Sequence, residues 1–401
     1  MNLAKLFWLF VTCVAIHGAV FAEDWPHWRG ARFDGISKET IPEKLPDSLP
    51  ILWTADVGIG FSAFAVVGNR VLTMGNADGK DTVWCLDAES GDVLWKHRYD
   101  CALDPLYYEG GPGGTPTVVD GAVYTLSKKG HAFRLNLETG NVEWSRDLVK
   151  DHGLELPEWS FAGSAYVEED LVVLNAGRRG IALSRETGET VWMPDSETSG
   201  YATVVPFSPK PDEPMQHLLF SAKSLLSIDI TDGKLHWEYP WKSSRDVNAA
   251  DPLVIGNEVV VSSSAGTQRL RPNSDGSAPE IVWEQKDLKW YFNPGVLIDG
   301  HIYSLHGTTH RPTELTCTDA ATGEPLWSEE GFGSGGLIAA GKHLVVFDLG
   351  TLTIFPASEE GFEPILRQTL LDGKCWTTPV VANSRIFCRN AEGKVVAVQL
   401  P

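Results

Sequence analysis

The chain has 401 residues, with 33 Lys+Arg against 53 Asp+Glu, a formal net charge of -20 and 43% apolar residues. This is globular composition, which excludes wholesale disorder and a multi-span membrane protein. The acid excess argues against a nucleic-acid partner, because phosphate-backbone binding is driven by Lys and Arg.

The first 22 residues read as a secretory signal. Lys5 supplies the positive end, Leu6 to Ile16 the apolar run, and Val20-Phe21-Ala22 a peptidase site before Glu23-Asp24. The run is shorter than the roughly 20 residues a bilayer span needs. Cleavage after Ala22 is expected, placing the mature chain in the periplasm or outside the cell with no transmembrane segment. Five cysteines then remain, Cys85, Cys101, Cys317, Cys375 and Cys388. Export permits disulfides, but the number is odd and no Cys-x-x-Cys occurs, so buried apolar thiols are expected and no pairing is assigned.

Residues 23–50 form a leader that contains Asp24-Trp25-Pro26-His27-Trp28-Arg29-Gly30. Residues 51–401 read as one domain built of a repeat. The segments Leu86–Trp95, Leu135–Trp144, Leu183–Trp192, Ile228–Trp237 and Thr318–Trp327 each place a glycine four residues before a tryptophan. A strand ends and a polar side chain bonds the turn backbone. Gly then supplies positive φ, and a second strand carries Trp at fixed register. Trp53, Trp283 and Ile365 mark three degenerate copies. The slots at 53, 95, 144, 192, 237, 283, 327 and 365 recur at 38 to 49 residues. That period with strand-type alternation and no convincing helix means propeller blades.

Upstream of each slot lie two further strands. Examples are Thr115–Val119 with Ala122–Leu126 and Leu253–Ile255 with Glu258–Ser262, joined at Asp120-Gly121 and Gly256-Asn257. Each blade therefore has four strands, A to D. The chain ends on a C strand at Gly393–Val398 and begins its repeat with a lone D strand at Ile51–Trp53. The prediction is an all-β, eight-bladed propeller of four-stranded antiparallel blades, closed by the N-terminal strand pairing in the C-terminal blade. Closure removes exposed edges.

The turn-plus-Trp unit resembles the pyrroloquinoline-quinone (PQQ) repeat of quinoprotein alcohol dehydrogenases, and the leader resembles the Trp-Pro opening that precedes such propellers. The same repeat builds the lipoprotein propeller of the outer-membrane β-barrel assembly machinery, and the chain looks most like the secreted PQQ-like propellers. The resemblance implies the fold. The adjacent cysteine pair that dehydrogenases hold against the quinone is absent here, and no motif places their calcium ligands.

Periodic recurrence makes Trp53, Trp95, Trp144, Trp192, Trp237, Trp283 and Trp327 structural docking residues that bury roughly 150–250 Å² each. The D-to-A and B-to-C connections share one face, where binding residues are expected. It collects Tyr107, Tyr108, Glu109, Trp159, Arg245, Asp246, Asn248, Trp290, Tyr291, Asn293, Lys374 and Trp376, with Arg178, Arg179, His306, His310 and Arg311. Gly331–Gly336 spells G-x-G-x-x-G, but a strand follows it, leaving no helix N-terminus for a phosphate. His306 and His310 sit four apart in a loop with no third metal ligand nearby.

The leading reading is a non-catalytic binding or scaffold module. It docks an envelope protein or small ligand at this loop face, with no cofactor. The alternative is a PQQ/Ca²⁺-dependent alcohol dehydrogenase. There Asp246 would be the base, with Glu109 and Asn248 on calcium. One of Trp159, Trp290 or Trp376 would stack on the quinone, and Arg178, Arg245 and Arg311 would lie nearby.

Overall fold

The computed structural model describes residues 23–210, 213–307 and 313–401, so the signal segment with its cleavage site, His310 and Arg311 lie outside the described residues. Eight sheets, each ordered A-B-C-D, make the predicted propeller. Blade 1 comprises Ala65–Val67, Arg70–Ala77, Lys80–Asp87 and Val93–Asp100. Blades 2 to 7 follow the same plan. In blade 8, Ile51–Asp56 adds to Lys394–Gln399 as the outermost strand, pairing Trp53 with Ala397. The ring therefore closes on its own first strand, as the repeat count requires.

The C-to-D turns behave as their residue types dictate. Asp87 Oδ1 accepts the backbone N–H groups of Glu89 and Ser90, both at 2.9 Å. These bonds hold the Asp87 carboxyl below its ordinary pKa. Just before the Trp, the D strand carries one extra residue. Cys85 faces Trp95 while Leu86 faces Val93, which leaves Leu94 as a bulge. The same shift precedes Trp53, Trp144 and Trp237. A bulge at the outermost strand bends an otherwise free edge and blunts edge-to-edge pairing.

Five of the tryptophans dock on the next blade in the same way. Trp95 Nε1 donates to Leu137 O at 2.8 Å, and Trp53, Trp144, Trp192 and Trp283 make the equivalent bond to Ala88, Arg185, Ile230 and Ala320. The indole lies flat on the turn glycine of that blade. A Cβ on Gly140 would sit 2.5 Å from the Trp95 ring, and one on Gly188 would sit 2.7 Å from Trp144. The glycine thus serves two purposes, its φ of +70° in the turn and the bare surface under the ring.

One short helix, Leu148–His152, departs from the strand-only expectation. Asp147 caps its N-terminus and Gly153 closes it in the left-handed region, so local capping converts this loop into a single turn. Cys85, Cys101, Cys317, Cys375 and Cys388 are all buried and free, as expected.

The leader is threaded into the axis of the ring. Trp25 exchanges both backbone bonds with Val66, on strand A of blade 1, at 2.8 Å. Pro26 O accepts from Val118 of blade 2 at 2.8 Å. His27 stacks on Phe33 at 4.0 Å, and Phe33 meets Tyr166 of blade 3 at 5.3 Å. Trp28 Nε1 donates to Asp251 Oδ2 of blade 5 at 2.6 Å, while Asp251 Oδ1 accepts from Thr203 N of blade 4 at 2.7 Å. Arg29 reaches Gly295 O of blade 6 at 3.0 Å. Ile36–Ser37 then pairs in parallel with Ala339 and Ala340 of blade 7, and Glu39 accepts from Ser384 N of blade 8 at 2.9 Å. One segment thus ties together strands that are up to about 320 residues apart in the chain.

Candidate functional site: the mouth of the ring

D-to-A connections run from the rim of one blade to the axis of the next, so their tips converge on one mouth. An aromatic arc forms there from four separate connections. Tyr108 and Phe61 have ring centroids 5.5 Å apart, Phe61 and Trp376 5.8 Å, Trp376 and Phe292 5.4 Å, and Phe292 and Tyr291 4.6 Å. Phe61 lies on the connection from blade 8 to blade 1 and was not among the residues nominated from sequence. A lone Phe in Gly60-Phe61-Ser62 has no feature to mark it.

Two cations sit over this aromatic surface. Lys374 Nζ is 4.3 Å from the Trp376 ring centre and 2.8 Å from Glu109 Oε2. The Arg245 guanidinium is 5.5 Å from the Tyr107 ring and 6.0 Å from Trp159, and bonds Glu158 at 2.8 Å. Neighbouring Tyr107 and Glu158 hold the Arg245 pKa above its ordinary value. Burial raises the pKa of the Tyr108 hydroxyl, and the nearby Asp104 and Glu109 carboxylates add to it. Tyr107 is 79% exposed and Leu349 64%, so apolar surface faces solvent here. Arg245 and Asp246 both have φ near +55°, in the left-handed region.

Other nominated residues are bonded or packed within the protein. Trp290 is fully buried against Leu253 and Ile302, and is a packing residue with no face for a quinone. Asn248 is also fully buried, its amide donating to Ser221 O and Ala222 O at 2.7 and 3.0 Å. Arg178 bonds Glu238 at 2.6 Å across the seam between blades 3 and 4. His306 Nδ1 accepts from Lys289 N at 2.9 Å, which employs it as a backbone anchor. Asn293 sits at the inner edge of the mouth, where it donates to Gly335 O and accepts from Thr378. Asp246 stands beside Arg245, with Asn248 N on its carbonyl at 3.0 Å.

Residues nominated for quinone and calcium are engaged within the protein. Glu109 is engaged by Lys374 and Asn248 by main chain, and no group of three or more His, Cys, Asp or Glu able to hold a metal occurs among the described residues. Beneath the arc, Trp25, Trp28 and Arg29 of the leader leave a cavity of only about 10 Å³. That is room for one water at most, where a cofactor pocket takes roughly 300 Å³ or more.

A family profile described as "Outer membrane protein assembly factor BamB" matches residues 50–157 and 112–329. The outer membrane protein assembly factor BamB of Salmonella typhimurium is 23% identical over 187 residues, which is 45% of this chain and 38% of that protein's length. The crystal structure of BamB from Moraxella catarrhalis superposes with a TM-score of 0.63 at 17% identity, covering 88% of this chain and 98% of that one. The quinohemoprotein alcohol dehydrogenase of Comamonas testosteroni superposes with a TM-score of 0.71 at 13% identity, covering 94% and 80% respectively. At these identities the superpositions establish the fold alone. The profile spans well over half of the sequence: the chain belongs to the PQQ-type propeller family described as outer membrane protein assembly factor BamB.

Proposed function

We propose that this protein is an exported, non-catalytic scaffold that docks another envelope protein on its D–A/B–C loop face. The carrying observation is the mouth itself, an aromatic arc crowned by two stacked cations over a channel that its own leader has filled. Trp, Tyr and Arg are the residues that dominate protein–protein hot spots, and they work best on rigid supports with the deep pocket closed. The signal segment supports a periplasmic or secreted location after cleavage behind Ala22. Family membership supports a role in outer-membrane assembly. No helix among the described residues is long and apolar enough to cross a membrane.

The test is a pull-down from envelope extract with mature protein and with Tyr107→Ala, Arg245→Ala and Trp376→Ala. Loss of a central anchor costs about 2 kcal/mol, so partner recovery should fall roughly thirtyfold with folding intact. A parallel titration with PQQ and Ca²⁺, read by calorimetry and by dye reduction with an alcohol panel, should show neither uptake nor turnover. Tight uptake with dye reduction would replace the scaffold reading by the dehydrogenase one.

A further inference from the structure

Glu23 follows the expected signal-cleavage position, and it is held tightly where the leader enters the ring. Its main-chain nitrogen donates to Glu39 Oε1 at 3.3 Å. Its carboxylate accepts from Arg32 Nη1 and from Lys38 N, both at 2.5 Å. The next residue, Asp24, accepts from Gly68 N at 2.9 Å and from the Asn383 amide at 3.3 Å. Gly68 and Asn383 belong to the A-to-B turns of blades 1 and 8. This end of the leader therefore lies on the face opposite the mouth.

The acceptor, Glu39, is a carboxylate short of a counter-charge. It is only 2% exposed. Its Oε2 accepts from Ser384 N at 2.9 Å, and main-chain N–H groups bring no net charge. Burial holds the Glu39 carboxyl above its ordinary pKa, and the nearby Glu23 carboxylate adds to the effect. The two cations at hand serve other acids. Arg32 bonds Glu23 and, at 3.2 Å, Asp34, while Lys38 Nζ lies 3.8 Å from Glu23. No side-chain cation pairs with Glu39 among the described residues. Taking a carboxylate out of water is costly unless a cation joins it.

Signal removal makes that cation. Hydrolysis of the Ala22–Glu23 bond by a signal peptidase consumes one water, with hydroxyl going to the Ala22 carbonyl and hydrogen to the Glu23 nitrogen. The amide that donates to Glu39 becomes an α-amine, which is protonated at neutral pH. The donor stays in place and gains a full positive charge. A hydrogen bond between ionised partners is roughly twice as strong as a neutral one.

Resting on the cleavage position of the exported reading, we infer that the α-ammonium of Glu23 is the counter-ion of buried Glu39, and that this ion pair locks the leader into the axis of the ring. The precursor has an uncharged amide at the same nitrogen and lacks the lock. Processing thus tightens the axial plug at the moment the signal is removed.

Two measurements test this. The intact mass of the exported protein should correspond to a chain that begins at Glu23. Chemical denaturation then compares that chain with one extended by Gly-Ser ahead of Glu23, each with Glu39 and with Glu39→Gln. The extension moves the charge away and keeps the amide donor, and Glu39→Gln keeps an oxygen for Ser384 N. Extension should raise the unfolding equilibrium constant about tenfold beside Glu39, and less than about twofold beside Glu39→Gln. Cleavage at a different bond would overturn the inference at its first step, the origin of the cation. An extension without effect beside Glu39, or one that costs the same in both backgrounds, would overturn the ion pair itself.

Discussion

Two kinds of seam hold the ring together, and blades 1–2 and 4–5 show the difference. At the first, Trp95 lies on Gly140 and bonds Leu137 O at 2.8 Å. At the second, Trp237 is just as buried, yet its Nε1 has no acceptor among the described residues. The cause is local. Blade 5 replaces the short Asp/Asn-to-Gly turn with the longer Asn273–Pro279 loop, where a Cβ on Gly276 would meet His236 O at 3.1 Å. No turn glycine remains to meet the indole, and no carbonyl is aimed at it. Trp327 tells the same story more mildly. Blade 7 also lacks a docking glycine, but Ser358 O still accepts the indole at 2.9 Å and Phe362 fills in at 6.4 Å. Indole burial and indole hydrogen bonding are therefore separable, and turn length decides the second.

The largest expected contrast uses the turn glycines. Gly140→Ala places a methyl 2.5 Å from the Trp95 ring and strains a residue at φ +70°. Together these should cost about 3–4 kcal/mol in chemical denaturation. Gly276→Ala, with φ +79° and only a carbonyl nearby, should cost about 1 kcal/mol. Equal costs would mean that the glycines serve the turn alone.

Next in size is a pH effect in the axial leader. Burial pushes the His27 imidazole down to about 4. The folded form thus refuses a proton that the unfolded chain accepts near 6.5, so stability falls as the pH drops from about 6.5 to 4 and then levels. His27→Gln should shrink that loss by about 3 kcal/mol. An unaltered acid limb would place the histidine in solvent. Trp28→Phe deletes one of the two N–H donors to buried Asp251 and should cost about 2 kcal/mol by the same denaturation assay.

The smallest effect returns to the seams. Trp95→Phe strands Leu137 O without its donor, whereas Trp237→Phe removes an N–H that had no acceptor. The first should be the more destabilising by about 1 kcal/mol. The reverse order would mean that Trp237 finds an acceptor in solution.

What could be read beforehand follows from periodicity. Gly91, Gly140, Gly188, Gly233 and Gly323 stand four before a Trp, and with the degenerate slots at Trp53, Trp283 and Ile365 this spacing counts the blades; each of the five glycines receives the ring of the preceding blade. The spacing also marked the Asn273–Pro279 turn as aberrant, though its consequence for Trp237 needed coordinates. The leader was opaque because it occurs once. Trp28 meets Asp251 and Arg29 meets Gly295 across more than 220 residues, and no local pattern announces such contacts. At the mouth, the D-to-A connections leave Tyr107, Arg245, Lys374 and Trp376 on the loop face where their residue types had placed them. Residue types misled for Trp290 and Asn248, whose connections turn those side chains into the core. Burial is decided by neighbours from other blades, which residue type does not encode.

The most direct measurement is site-specific photocrosslinking in intact envelopes, with the photoreactive residue placed at Tyr107 on the mouth or at Glu138 in a C-to-D turn on the opposite face. A discrete protein adduct from position 107, absent from 138 and abolished by Arg245→Ala, is the result expected of a docking mouth. Adducts from 138 alone, or none from 107 beside a chain that takes up PQQ and reduces dye, would contradict it.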